Sequence, residues 1–190
     1  KMLDLINSML DISKLESNTM RVEQKDYLLG SLIFDINKNV LENKTKENLV
    51  FNISVNQMCP NNLYGDYEKI LKIINTVLLN AISYTDYGEV KLNINCEKKT
   101  EEMYEFIFHI TNSGHAMQVE TFNRTFDDLI KLSDKSNTVI DASSLRFIVA
   151  KGLIDIIGGD IEFINEEGKG TQYIIKIKQK ITNPNGLNVV

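Results

Sequence analysis

Two hydrophobic periods alternate along this chain, and their order constrains its fold more than any other feature of the sequence. In three segments apolar residues recur every three or four positions, as they do on one face of a helix. These segments carry Leu29, Leu32, Ile33, Ile36 and Val40, then Ile70, Ile73, Ile74, Val77 and Ala81, then Leu145, Ile148, Val149, Leu153, Ile156 and Ile157. The alternation typical of half-buried strands covers 49–55, 90–95, 104–111, 161–164 and 173–177. Three helices and about five strands predict an α+β fold, a two-layer sandwich of a mixed sheet with helices on one face.

The first 17 residues have a separate apolar pattern. Met2, Leu5, Met9 and Ile12 are spaced three, four and three positions apart, which is coiled-coil spacing. A single helix of this length is marginal in water, so we expect it to pack against a helix of a dimer partner or of an upstream segment. The pattern is already under way at the first residue, which indicates a fragment of a longer protein. Any membrane contact would then be made by missing upstream segments.

Composition excludes several classes of function. The 190 residues carry a net charge of −5 and contain no basic run, which argues against nucleic acid and anionic membrane surfaces as partners. Cys59 and Cys96 form no CxxC motif, and we interpret them as ordinary reduced thiols rather than zinc ligands. A cytoplasmic setting fits this cysteine usage best.

Polar stretches that interrupt the apolar patterns divide the chain into three parts. These are a dimerisation helix at 1–17, a domain at 18–182 and a tail or linker at 183–190. Asp66 is predicted to cap the second helix of the domain, and Gly158-Gly159 to end the third. Residues 112–141 show little periodicity and predict a long loop with one short helix. A loop of that length in a compact domain is usually functional or mobile.

Four stretches of sequence stand in a recognisable order. The first is the helix at 3–17. The second is Gly65-Asp66-Tyr67 through Asn80-Ala81-Ile82-Ser83-Tyr84-Thr85, then Gly88. The third is Ile110-Thr111-Asn112-Ser113-Gly114-His115-Ala116-Met117, and the fourth is 144–153 followed by Gly158-Gly159-Asp160-Ile161 and Gly168-Lys169-Gly170-Thr171. Together they resemble the sensor histidine kinase family. In that family they would be the end of the dimerisation helix, the N box, the first glycine box, and the second glycine box with the closing hairpin. The resemblance implies a GHKL (Bergerat) fold that binds ATP or ADP with Mg²⁺.

In the N box, the resemblance places Asn80 where the family coordinates Mg²⁺, a hard cation that prefers oxygen ligands. A helix residue with only local hydrogen bonds is the alternative for Asn80. Thr76 stands where the family often has a second Asn, and its hydroxyl is a shorter polar group. Ser83 stands where the family has a phosphate-side Lys, so one cation is missing.

In the first glycine box, the family presents an Asp to the exocyclic amine of adenine. This chain has Asn112, whose amide oxygen accepts one hydrogen bond without charge assistance, a loss of about 1 kcal/mol. Gly114 is retained, and Ala116 replaces the second glycine.

The second glycine box departs furthest from the family pattern. Where the family has bare backbone N–H groups facing the phosphates, the run here is Ala142-Ser143-Ser144-Leu145-Arg146-Phe147, without glycine. Ser144 and Arg146 are candidate contacts there, as is Thr171 in the closing hairpin. Arg146 either fills the phosphate space or binds an anion with its guanidinium fork.

No residue matches the phosphoacceptor histidine, so no catalytic residue is predicted in this fragment. His109 lies in a predicted strand and His115 in a predicted loop, and neither has the acidic neighbour and nearby Pro of the family. Three hypotheses follow. The domain is a pseudokinase with weak or absent ATP binding that signals by docking to a partner such as a response regulator. Alternatively it is an active ATP:protein-histidine kinase with an atypical pocket, or a non-signalling GHKL ATPase fragment.

Overall fold

The computed structural model describes residues 2–43, 48–114, 142–166 and 170–182. Its helices are α1 (Met2–Glu16), α2 (Leu29–Asn43), α3 (Tyr67–Ser83) and α4 (Ala142–Ile156). Its strands are β1 (Lys25–Leu28), β2 (Leu49–Val55), β3 (Asn62–Gly65), β4 (Gly88–Lys98), β5 (Met103–Asn112), β6 (Asp160–Glu166) and β7 (Gly170–Ile181). Most of the predicted loop, including His115 and Ala116, and the predicted tail at 183–190 lie outside the described residues.

The strands form one mixed sheet in the order β1-β3-β7-β5-β4-β2, with β6 also paired to β7. The pair β2–β4 is parallel and the other pairs are antiparallel. The predicted α+β class is confirmed. The estimate of about five strands was too low, because β1 and β3 have only four residues each and show no clear alternation.

Helix α3 packs across the sheet and forms the centre of the core. Its residues Ile73, Ile74 and Val77 are fully buried, as are Phe106 and Ile110 of β5. Burying a side chain of this size contributes roughly 1.5–3 kcal/mol relative to leaving it exposed. The predicted ends of the helices are confirmed, since the Asp66 carboxylate accepts a hydrogen bond from the Lys69 amide at 3.1 Å and Gly158 has φ +69°.

Helix α1 packs against α4 of its own domain, rather than only against another chain. Ile12 is buried there, and a Cβ on Gly152 of α4 would lie 2.8 Å from Leu15 Cδ1, so the two helices approach closely. The opposite side of α1 leaves Ile6, Met9 and Leu10 exposed to between 44% and 55%. The inner face is covered by α4, and the outer face has no cover within the described chain. The expected partner, a helix of a second chain or of an upstream segment, is therefore not what covers the inner face, and for the outer face it stays a prediction.

Within the described residues, none of the helices combines the length and the apolar character needed to cross a membrane.

Candidate functional site

One group of predicted site residues meets where β5, β7 and the end of α3 come together. Asn112, the last residue of β5, is paired with Thr171 of β7, and their exposed fractions are 3% and 1%. Asn112 Nδ2 donates to Thr85 Oγ1 at 3.1 Å, and Thr85 Oγ1 donates to the Ala81 carbonyl at 2.8 Å. These bonds fix the amide so that its oxygen faces away from Thr85.

The Asn112 Oδ1 atom is buried and has no hydrogen-bond partner in the described structure. A buried acceptor without a donor costs about 1–3 kcal/mol, so such atoms usually have a partner when the site is in use. An N–H donor, such as the exocyclic amine of adenine, would satisfy it. The chemistry of this donor-seeking oxygen therefore fits a nucleotide base.

Two glycines permit the close packing around Asn112. A Cβ on Gly114 would overlap the carbonyl oxygen of Tyr84 and lie 2.6 Å from Thr85 Cα, so no side chain fits there. Gly170 has φ +83°, and a Cβ on it would overlap the carbonyl oxygen of Asn112. Gly114, predicted as a nucleotide contact, thus also has a structural role in joining β5 to α3.

A second group of predicted residues lies at a cleft between α1, α3 and α4. This cleft of about 160 Å³ is lined by Asn7, Ser8, Asp11, Lys72, Thr76, Arg146 and Val149. It brings Thr76 and Arg146 together. It also holds an ion pair between Lys72 and Asp11, which ties α3 to α1. Two cations and one carboxylate therefore share a small space beside Thr76.

Asn80 lies one helical turn beyond Thr76 on α3, on the way to Thr85, and only 7% of it is exposed. The two groups are thus arranged along one helix. Thr76 and Ser83, the last residue of α3, are separated by about 10 Å of helix axis at 1.5 Å per residue.

The segment in place of the second glycine box forms the start of α4. The side chains of Leu145 and Phe147 are buried in the core there, and Arg146, between them, lines the cleft. Of Ser144 only the backbone is described, as part of α4. The segment that lacks glycines is therefore helical here, and its apolar side chains Leu145 and Phe147 face the core.

Three contributors to the site were not predicted. Thr85 orients Asn112 by accepting its hydrogen bond. The position of Thr85 at the end of the N box is the sequence feature that could have identified it as a site residue. Lys72 stands four residues before Thr76, so helical spacing alone puts the two on one face. Asp11 of α1 could not be inferred, because it reaches the cleft only through the packing of α1 on α4.

His109, which was not predicted to be a phosphoacceptor, lies on β5 with its Nε2 3.0 Å from Gln172 Oε1. Among the residues with described positions, no group of three or more His, Cys, Asp and Glu side chains is arranged to hold a metal ion. A Mg²⁺ ion at Asn80 would accordingly take most of its ligands from nucleotide phosphates and water.

Comparisons with known proteins agree with this architecture. The family model for histidine kinase-, DNA gyrase B- and HSP90-like ATPases matches residues 65–181. Hybrid signal transduction histidine kinase B of Dictyostelium discoideum is 25% identical over 182 residues, which are 96% of this chain and 9% of that protein. Sensor histidine kinase RcsC of Salmonella typhimurium is 24% identical over 176 residues, which are 93% of this chain and 18% of RcsC. The chain thus spans less than a fifth of the length of these curated relatives.

Solved structures give the same fold. Full-length ShkA in complex with AMPPNP superposes with a TM-score of 0.73 at 14% identity, covering 96% of this chain and 37% of ShkA. The Acinetobacter baumannii histidine kinase AdeS superposes with a TM-score of 0.65 at 16% identity, covering 94% of this chain and 77% of AdeS. The chain belongs to the histidine kinase-, DNA gyrase B- and HSP90-like ATPase family, and the curated relatives it resembles are named as sensor or signal transduction histidine kinases.

Proposed function

We propose that this chain is the ATP-binding-type catalytic domain of a two-component sensor histidine kinase whose nucleotide binding is weak or absent and which signals by docking. The observation that carries the proposal is the start of α4. The three glycine positions of the family's phosphate loop are occupied here by Ala142, Ser144 and Arg146, all within the helix, and Arg146 lines the cleft beside Thr76. Substitutions of this kind remove the bare backbone that phosphate groups approach.

The base end of the site has kept more of its chemistry. Asn112 offers a buried, unpaired acceptor oxygen, and Thr171 lies beside it on the paired strand. We expect adenine to donate its amine to Asn112 Oδ1 in any complex that forms. Compared with the carboxylate of the family, the neutral amide loses about 1 kcal/mol of charge-assisted bonding.

At the phosphate end, Asn80 would hold Mg²⁺, with Thr76 and Arg146 close to the phosphate groups and Ser144 at the start of α4. Mg²⁺ would screen the phosphate charge and orient the transferred group. Losing the glycine contacts and one cation, at about 1–3 kcal/mol each, would move a micromolar affinity to roughly millimolar or weaker.

An active histidine kinase with an atypical pocket is the second candidate. The observation in its favour is the pair of cations, Lys72 and Arg146, at the cleft beside Thr76. These side chains would replace the missing backbone contacts to phosphate. A non-signalling ATPase fragment is a weaker candidate. The packing of α1 on its own domain favours it, but the relatives that match across α1 are named as histidine kinases.

The proposed partners follow from the same frame. The exposed Ile6, Met9 and Leu10 form a stripe on α1 that would pair with a second copy of the chain. A response regulator would be the docking target, and the cytoplasm its compartment. The matched histidine kinases are named as sensory or signal-transduction proteins, which supports this assignment.

Calorimetric titration with ADP and Mg²⁺ tests the nucleotide proposal. We expect a dissociation constant near or above the millimolar range for the unmodified chain. Asn112→Leu should weaken any measurable binding by about tenfold, which corresponds to one lost hydrogen bond of 1.4 kcal/mol. Asn112→Asp, which restores the acidic residue of the family, should tighten it.

The same titration with Arg146→Gly separates the two roles of that side chain. Tighter binding would mean that Arg146 fills phosphate space, as the weak-binding proposal expects. Weaker binding would mean that it holds the anion. Micromolar affinity in the unmodified chain would overturn the proposal in favour of an active kinase, and autophosphorylation of the longer protein would then be the next measurement.

A further inference from the structure

The two cysteines are 37 residues apart in sequence but lie close together in the fold. Cys59 lies in the connection between β2 and β3, and Cys96 lies near the end of β4. Both are free thiols. This pairing could not be inferred from the sequence, because it depends on how the β2–β3 connection folds back over β4.

The geometry places the Cys96 thiol beside the backbone that leads into Cys59. Cys96 Sγ lies 3.6 Å from the carbonyl oxygen of Met58, the residue that precedes Cys59. Standard bond lengths put that oxygen about 2.8 Å from Cys59 Cα, so Cys96 Sγ is within about 6.4 Å of Cys59 Cα. A disulfide brings the two Cβ atoms to roughly 3.5–4.5 Å, so the bond forms only if the Cys59 side chain turns toward Cys96. The two thiols are close enough for each to influence the other's pKa.

Hydrogen bonds to β4 hold the connection in this position. The Asn56 amide donates to the Ile94 carbonyl at 2.8 Å, and Asn56 Nδ2 lies 3.3 Å from Asn95 Oδ1. The Cys59 amide in turn donates to the Asn56 carbonyl at 2.9 Å. The position of the connection beside β4 is therefore set by backbone hydrogen bonds, and a bond between the thiols would not require the sheet to rearrange.

The two thiols differ in access. Cys59 is buried, with 2% of its surface exposed, whereas Cys96 is half-buried. Burial raises the pKa of both thiols, and the neighbouring Cys96 thiol raises that of Cys59 further. Because the thiolate is the reactive form, a reagent from solution would meet Cys96 first and react slowly at neutral pH.

We propose that Cys59 and Cys96 form an oxidation site, which a low-molecular-weight disulfide converts into a reversible intramolecular disulfide. The Cys96 thiolate attacks one sulfur of the reagent, and a mixed disulfide forms as the first reagent thiolate leaves. The Cys59 thiolate then attacks Cys96 Sγ, and the second reagent thiolate leaves. Both cysteines are oxidised, one reagent disulfide is reduced to two thiols, and the two cysteine protons end on those thiols.

The bond would fasten the β2–β3 connection to β4. Cys96 is opposite Phe106 on β5, whereas Asn112 is opposite Val90 at the other end of the same strand pair. The oxidation site is therefore separate from the candidate nucleotide site. Its main effect would be to stabilise the β2 side of the sheet, and it stands whether or not the proposed function is correct.

The test treats the folded chain with excess oxidised glutathione and follows its intact mass under denaturing, non-reducing conditions. We expect the product to have lost two hydrogen atoms, with a peptide map linking Cys59 to Cys96, and a reductant to restore the original mass. The oxidised chain should melt at a temperature higher by roughly 5–10 °C, because the cross-link restricts the unfolded chain.

Single variants check the order of reaction. Cys59→Ser should stop at a stable glutathione adduct on Cys96, since no second thiol is available to close the bond. Cys96→Ser should stay unmodified for far longer, because Cys59 is buried. Three outcomes would overturn the proposal. The unmodified chain could accumulate the glutathione adduct without forming the internal disulfide, or it could form only disulfide-linked dimers. It could also keep two free thiols under conditions in which Cys96 of the Cys59→Ala variant reacts fully.

Discussion

Asp66 is the residue whose ionisation should matter most for stability. Burial raises the pKa of its carboxyl, but hydrogen bonds from the Lys69 side chain and from the Glu23 and Lys69 amides outweigh burial and leave the pKa lowered. The Lys69 ammonium lies 2.7 Å from the carboxylate, and both groups are largely removed from solvent. One side chain therefore caps α3, anchors the segment before β1 and neutralises a buried cation.

We expect Asp66→Ala to lower the free energy of unfolding by about 1–3 kcal/mol at pH 7, because a helix cap and a buried charge pair are both lost. Since the folded-state pKa is lowered, this contribution is complete above the ordinary Asp pKa of about 3.9. It is lost as the pH falls through the folded-state value. Urea unfolding of both chains from pH 7 down to pH 3 measures the difference. Asp26→Asn, at an exposed position on β1, is the control, and an equal loss there would contradict this role of Asp66.

Among the elements, α1 has two different apolar faces. The face carrying Ile12 and Leu15 is covered by α4, whereas the stripe of Ile6, Met9 and Leu10 is exposed. In the proposed dimer, this stripe would contact the second chain, because no described residue of the same chain covers it. The inner face would remain in place whether or not a second chain binds.

We expect Leu10→Lys to convert a dimer to a monomer, because a charge in a coiled-coil contact loses its hydration without gaining a partner. Light scattering over a range of protein concentrations measures the change. Leu41→Lys on α2 is the matched control, since Leu41 and Leu10 are similarly exposed at 59% and 55%. A Leu10→Lys chain that remains dimeric at low concentration would exclude this stripe as the contact.

The sequence determined the long elements well and the short ones poorly. Periodicity located α2, α3 and the strands β4 and β5, because each buries one regular face over ten residues or more. It missed β1 and β3, whose pairing with each other and with β7 depends on contacts far along the chain. The same distinction applies to the site. Asn112 and Thr171 followed from motif position, whereas Asp11 and the Cys59–Cys96 pair required the tertiary structure.

At the scale of the whole molecule, the strand order predicts an uneven distribution of local stability. β5 is paired along its length with both β4 and β7, and α3 covers it from one side. In the part of the chain with described positions, β2 is paired only with β4 and lies at the edge of the sheet. Opening β2 breaks one ladder of hydrogen bonds, whereas opening β5 breaks two and exposes the apolar core.

We therefore expect amide hydrogen exchange to be slowest in peptides from β5 and β7 and at least tenfold faster in β2, a difference of about 1.4 kcal/mol in opening free energy. Exchange followed by mass spectrometry in native buffer measures this. In β2 the amides that point away from β4 should exchange first, because a strand in a parallel pair directs alternate N–H groups to opposite sides. Protection of β2 equal to that of β5 would mean that another segment or a second chain covers this edge. The exchange rates would then show that the edge of β2 is an interface, which the strand order alone does not reveal.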